Sequence, residues 1–131
     1  MIMSLIKKEI KGYIGYLTLN NPTKLNAMSE PMMAEMVEAL KEFDENEKVR
    51  CIVLKGEGKA FSAGHDVNPE DNHYSGAEGW RTRAQRCNTL PQTIWSLKTP
   101  IIAQVHGYCL GGACDIAAVC DLTIAADNAK F

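Results

Sequence analysis

The sequence has no apolar run that approaches the ~20 residues a membrane-spanning helix requires, so no membrane segment is expected. An excess of charge of one sign is also lacking. Fourteen Lys and Arg against sixteen Asp and Glu leave a formal charge of −2. That balance gives no electrostatic case for nucleic acid or for an anionic membrane surface. C-x-x-C pairs are missing among the five cysteines, Cys51, Cys87, Cys109, Cys114 and Cys120. An odd count in largely apolar surroundings argues for reduced, buried thiols and against a disulfide framework or zinc. The opening MIMSLIKKEI has neither a charged segment ahead of an apolar core nor a small-residue cleavage site, so it does not read as a secretory leader. A cytoplasmic location is expected, and no metal.

What is present is an ordinary globular composition, 46% apolar and 23% charged, over 131 residues. That length suits one compact domain with a sizeable core. No linker or low-complexity stretch interrupts it, so residues 1–131 are read without an internal boundary. SLIKKEIK and YIGYLTLN read as two short strands separated by Gly12. Asn20, Asn21 and Pro22 then break regular structure. Ser29 is a helix N-cap, Pro31 fits the first turn, and Met32, Met36, Ala39, Leu40 and Phe43 form a core-facing stripe at helical spacing. RCIVLKGEG is a buried strand. A helix is predicted from Ala77 to Ser96, kinked or broken at Pro91. IIAQVHG is a strand, GGACDIAAVC a short helix and LTIAAD a strand. The alternation predicts an α/β architecture.

Two stretches run from a buried strand into a glycine turn. In YCLGGACD, the pair Gly111 and Gly112 opens a helix, so the Gly112 N–H is a donor the helix itself cannot satisfy. On its own the pair serves equally well for close helix–strand packing. AFSAGHDV is the second such stretch, with His65 and Asp66 following Ala63 and Gly64. Two loops that each aim one N–H at one point would form an oxyanion hole.

AFSAGHDV and HGYCLGGACDIAAVCDLTIAADNAKF resemble the two signature regions of the crotonase, or enoyl-CoA hydratase/isomerase, superfamily. YLTLNNPTKLNAMS resembles its N-terminal Asn-Pro…Asn-Ala segment, and the three follow one another in the family's order. The resemblance implies a spiral of repeated ββα units, acyl-coenzyme A thioester substrates and assembly of the full-length parent as a homotrimer or hexamer. It implies no cofactor beyond the coenzyme A of the substrate. By the same resemblance the backbone N–H groups of His65 and Gly112 are the oxyanion-hole donors and Asp115 is an acid or base. Ala63, His65, Asp66, Val67 and Asn68 border the coenzyme A path, together with Gly111 and Gly112, and Lys24, Leu25 and Ala27 border it from the N-terminal segment.

The function implied is stabilisation of a thioester enolate, most directly in an enoyl-CoA hydratase. Alternatives are an enoyl- or dienoyl-CoA isomerase, an acyl-CoA hydrolase on the same scaffold, or a non-catalytic fragment. Hydratases of the family usually carry Glu where Asp115 stands. The shorter side chain withdraws its carboxylate by roughly 1.5 Å, and a misplacement of ~1 Å can cost ~100-fold in rate. The family's second catalytic carboxylate and its trimer-building helices lie beyond the position of Phe131. The chain thus resembles an N-terminal half, which should expose strand edges and apolar surface and should not turn over alone. Outside the resemblance, Ser62 with His65 forms only half of a hydrolase motif, and His65, Asp66 and His73 have ligand types without ligand spacing. Trp80, Trp95 and Tyr74 are read as core aromatics, and Arg81, Arg83 and Arg86 as a solvated face.

Overall fold

The computed structural model describes residues 4–67 and 74–131. Along the chain come β1 (Ile6–Lys11), β2 (Ile14–Leu19), a 3-10 turn (Pro22–Lys24), α1 (Glu30–Glu45), β3 (Cys51–Gly56), α2 (Gly76–Ser96), β4 (Ile101–Val105), α3 (Gly112–Val119) and β5 (Leu122–Ala125). The strands form one sheet in the order β1-β2-β3-β4-β5. β1 and β2 are an antiparallel hairpin, and every later pairing is parallel. Parallel neighbours require a crossover, which α1, α2 and α3 supply in turn.

The core lies between the sheet and these helices. In register across the sheet stand Leu17, Leu54 and Ala103, all fully buried. Against them α1 lays its stripe of Met32, Met36, Ala39, Leu40 and Phe43, every member buried. Each large side chain so buried contributes about 1.5–3 kcal/mol. The Ser29 hydroxyl accepts the Met32 N–H at 3.3 Å and fixes where that helix starts.

α2 is helical without interruption through Pro91, so the expected break does not occur. Proline removes only the N–H that would have bonded the Cys87 carbonyl, and packing of Leu90, Thr93 and Ile94 holds the turn on either side. The aromatic reading is corrected as well: Trp80 is 52% and Trp95 83% exposed. Both lie on the solvent side of α2, because the core face is taken by Leu90, Thr93 and Ile94. The five cysteines are free thiols, with Cys109 and Cys120 buried and the other three half-buried.

A second set of backbone pairings runs beside the main sheet. Three isolated parallel bridges join Met28 to His65, Ser62 to Cys109 and Tyr108 to Lys130. Full strand, bridged segment and helix thus recur along the chain, which is how a ββα repeat takes form here. On β5, Leu122 and Ile124 are 61% and 60% exposed.

Candidate functional site

The second set of bridges draws three separate loops together. In the first loop, Leu25 and Asn26 both have left-handed backbone, with φ of 50° and 54°. Asn26 is fully buried. Its side-chain amide donates to the carbonyls of Glu57 and Ala60, each at 2.9 Å, while its Oδ1 accepts the Asn21 N–H. This residue ties the Asn-Pro loop to the loop after β3, and sequence reasoning missed it. The available signal was asparagine's tolerance of positive φ just after a Pro turn.

The middle loop is held between its neighbours. The Ala63 N–H donates to the Leu25 carbonyl at 2.9 Å, and the Asp66 N–H to the Met28 carbonyl at 2.9 Å. The Met28 N–H donates to the Gly64 carbonyl at 2.7 Å. That parallel register uses the groups of residues 64 and 66 and turns the His65 N–H to the opposite side. Among the described residues the His65 N–H meets no acceptor. Ser62 is fully buried; its hydroxyl donates to the Asn26 carbonyl at 2.8 Å and accepts the Gly64 N–H. Ser62 is therefore a loop fastener, which speaks against a serine nucleophile.

The third loop closes against the second. The Leu110 N–H donates to the Ser62 carbonyl, and the Ala113 N–H to the Leu110 carbonyl at 3.0 Å. Gly111 (φ 52°, ψ −124°) gives that turn the type II′ geometry glycine adopts without strain. Gly112 is the first residue of α3, and among the described residues its N–H likewise meets no acceptor. A Cβ built on Gly64 would lie 2.5 Å from the Leu110 carbonyl oxygen and 3.4 Å from the Gly112 nitrogen. A Cβ built on Gly112 would lie 2.4 Å from His65 Nε2. The loops of His65 and Gly112 thus touch, and each presents an N–H that the fold leaves unused. Such donors, one of them at a helix N-terminus, suit an oxygen that gains negative charge.

Of the other expected site residues, Lys24 and Asp66 form an ion pair at 3.2 Å that bridges the first and second loops. Leu25, Ala27 and Ala63 lie half-buried beside it, and Val67 is 73% exposed. Asn68 and His73 lie outside the described residues. Asp115 stands exposed in the first turn of α3. It reaches His65 through its field, not through a hydrogen bond.

The His65 imidazole is held below its ordinary pKa by burial first and by Arg83 second, with Asp115 opposing. Its Nδ1 is buried with no hydrogen-bond partner among the described residues. The ring also borders a cavity of about 170 Å³ that runs to Met28, Glu30, Tyr74 and Arg83. There Glu30 accepts from the Tyr74 hydroxyl and from Arg86, the latter at 2.8 Å. The Tyr74 bond is the main cause of the lowered Glu30 pKa. Arg86 is exposed but engaged, and Arg83 is half-buried at the cavity, so the expected solvated arginine face holds fully only for Arg81.

A parallel sheet with crossover helices, a second set of single-residue bridges and two donor loops meeting at a helix N-terminus defines a crotonase-fold chain. The sequence profile described as "Enoyl-CoA hydratase/isomerase" matches residues 9–131. The chain belongs to that family. A relative from Dictyostelium discoideum, named as a probable mitochondrial enoyl-CoA hydratase, is 38% identical over 94% of this chain and 43% of its own length. A probable enoyl-CoA hydratase of Bacillus subtilis is 36% identical over 98% of this chain and 49% of its own. A crystal structure of an enoyl-CoA hydratase/isomerase from Xanthobacter autotrophicus superposes with a TM-score of 0.92 at 32% identity, covering 98% of this chain and 48% of that one. The chain thus spans about half the length of the relatives it matches.

Proposed function

We propose that the chain forms part of an acyl-CoA enzyme that stabilises a thioester enolate between the N–H groups of His65 and Gly112, most directly an enoyl-CoA hydratase. The observation that carries this reading is the meeting of two loops whose N–H groups have no acceptor within the described residues. A thioester carbonyl seated between them accepts both bonds. As its α- or β-carbon reacts, the negative charge that gathers on oxygen is met by donors already in place, without reorganisation. Removing one donor from such a site costs ~2.7–4 kcal/mol of barrier. Lys24, Leu25 and Ala27 flank the coenzyme A moiety in this proposal, together with Ala63, His65, Asp66, Val67, Gly111 and Gly112; Asn68 of the same proposal lies outside the described residues.

Asp115 gives a second reading its support. It is an exposed acid in the first turn of α3, within electrostatic reach of His65. A carboxylate there suits moving a proton along an acyl chain, which is isomerase chemistry. Homotrimeric or hexameric assembly of the parent is part of the proposal. So is a cytoplasmic location, supported by five free thiols. The mitochondrial name of the Dictyostelium relative marks the competing compartment.

Isothermal titration of the chain with butyryl-CoA, paired with a hydration assay on crotonyl-CoA, tests the reading. Binding without turnover is the expected result. Absence of binding would overturn the acyl-CoA assignment for this chain, and hydration that Gly112→Pro abolishes would overturn the need for the second carboxylate.

A further inference from the structure

The cavity beside His65 has two acids in its wall, and both are already answered. Glu30 takes the Arg86 guanidinium at 2.8 Å, and Asp66 takes Lys24 at 3.2 Å. Arg83 lines the same cavity and is half-buried. Among the described residues it pairs with no carboxylate; its guanidinium lies 5.5 Å from the centre of the Trp80 ring. Both wall acids are thus offset by cations that stand outside the wall, Lys24 and Arg86, which leaves Arg83 as the wall charge without an opposite partner among the described residues. Its field reaches both His65 and Glu30. Met28, Pro31, Met33 and Cys87 give the wall an apolar part, beside Ser29, His65 and Tyr74.

A guanidinium is always charged and offers a planar fork of donors that matches a carboxylate. Resting on the acyl-CoA reading above, we infer that this cavity receives a short acyl group ending in a carboxylate, with Arg83 as the residue that selects it. The small volume, about 170 Å³, favours a short acyl group over a long chain. Apolar contacts from Met28 and Met33 hold the methylenes, and Arg83 stands where a charged terminus arrives. Arg86 cannot substitute, because Glu30 and Tyr74 hold it.

The experiment titrates the chain with succinyl-CoA, butyryl-CoA and free coenzyme A, then repeats this with Arg83→Gln and Arg83→Lys. Circular dichroism melts establish that the variants fold. The expected result is succinyl-CoA bound about tenfold more tightly than butyryl-CoA, the size of one hydrogen-bonded charge contact. Arg83→Gln should erase that difference and leave butyryl-CoA and free coenzyme A unchanged, while Arg83→Lys should keep part of it. Equal affinity for the two thioesters in the parent chain overturns the inference and leaves the acyl-CoA reading intact. An Arg83→Gln loss shared equally by all three ligands also overturns it, since Arg83 would then be reading the coenzyme A phosphates. Failure of all three to bind overturns the acyl-CoA reading itself, and the inference with it.

Discussion

Gly64→Ala is the substitution that most directly probes how closely the two donor loops approach. Gly64 has φ of +93°, and an added Cβ would stand 2.5 Å from the Leu110 carbonyl oxygen. Two costs therefore combine. Placing alanine in a backbone region that favours glycine costs of order 1–3 kcal/mol. Forcing a methyl group against a fixed carbonyl adds a further ~1–3 kcal/mol of overpacking. Gly12→Ala separates them, since Gly12 has φ of +58° in the β1–β2 turn and nothing within 4 Å of its Cβ position. Gly111→Ala, also with nothing near its Cβ position, reports the backbone strain of a type II′ turn position alone. Urea unfolding of all three variants is the assay. With a slope of ~1–3 kcal/mol per molar urea, the ~1–3 kcal/mol of overpacking should make the Gly64 variant unfold about 1 M earlier than Gly12→Ala. It should also lose butyryl-CoA binding, because Leu110 cannot retreat without moving Gly112. Coincident midpoints for Gly64→Ala and Gly12→Ala would refute the close approach of the loops.

Three further outcomes follow from single residues. Asn26→Ala strips the Glu57 and Ala60 carbonyls of a buried donor and should cost about 3 kcal/mol in the same unfolding assay; a change within the error of the parent would contradict its place as the fastening between loops. His65 is held below its ordinary 6.5 by burial, so the unfolded chain takes up a proton first as pH falls below that value. Stability should therefore be unaffected by this group above pH 6.5 and decline as pH drops from there toward the lowered value. Urea midpoints compared at pH 7.5 and 5.5 should fall less in His65→Gln than in the parent, and an equal fall would contradict the assignment. Burial pushes the Cys109 and Cys120 thiols up to about 12, and the thiolate is the reactive form. A disulfide reagent should leave both unmodified in the folded chain, as peptide mapping by mass spectrometry would reveal.

The main sheet was legible in the sequence because β2 to β5 are short, largely apolar runs flanked by turn residues and Gly12 sets off the charged β1 from β2. The helix over Glu30–Glu45 was legible because Met32, Met36, Leu40 and Phe43 recur at its period. Pro91 misled only as far as a break was expected, since a proline's local effect is easy to read but the packing of Leu90 and Ile94 that carries the helix through is not. Trp80 and Trp95 misled for a related reason: aromatic character does not say which way a residue faces on a helix whose core side is already filled. The bridges from Met28 to His65 and from Ser62 to Cys109 have no sequence signature, since each involves one residue from each of two distant loops. Asn26 escaped notice because the carbonyls it holds belong to residues 31 and 34 positions away. Both donor loops could be found from their glycines and the family resemblance, but their contact required the fold.

The central claim concerns two N–H groups, and infrared difference spectroscopy of a bound thioester reads them most directly. An acyl-CoA labelled with carbon-13 at the thioester carbonyl would be bound to His65→Ala. That variant retains the residue-65 N–H and removes the ring that a side chain at position 112 would strike. Proline is tolerated at the first position of a helix and lacks the N–H, so Gly112→Pro on this background deletes one donor with little else. The expected result is a carbonyl band shifted to lower frequency on binding to His65→Ala, and a shift largely lost when Gly112→Pro is added. An unshifted band in the first variant, or an equal shift in both, would contradict the claim.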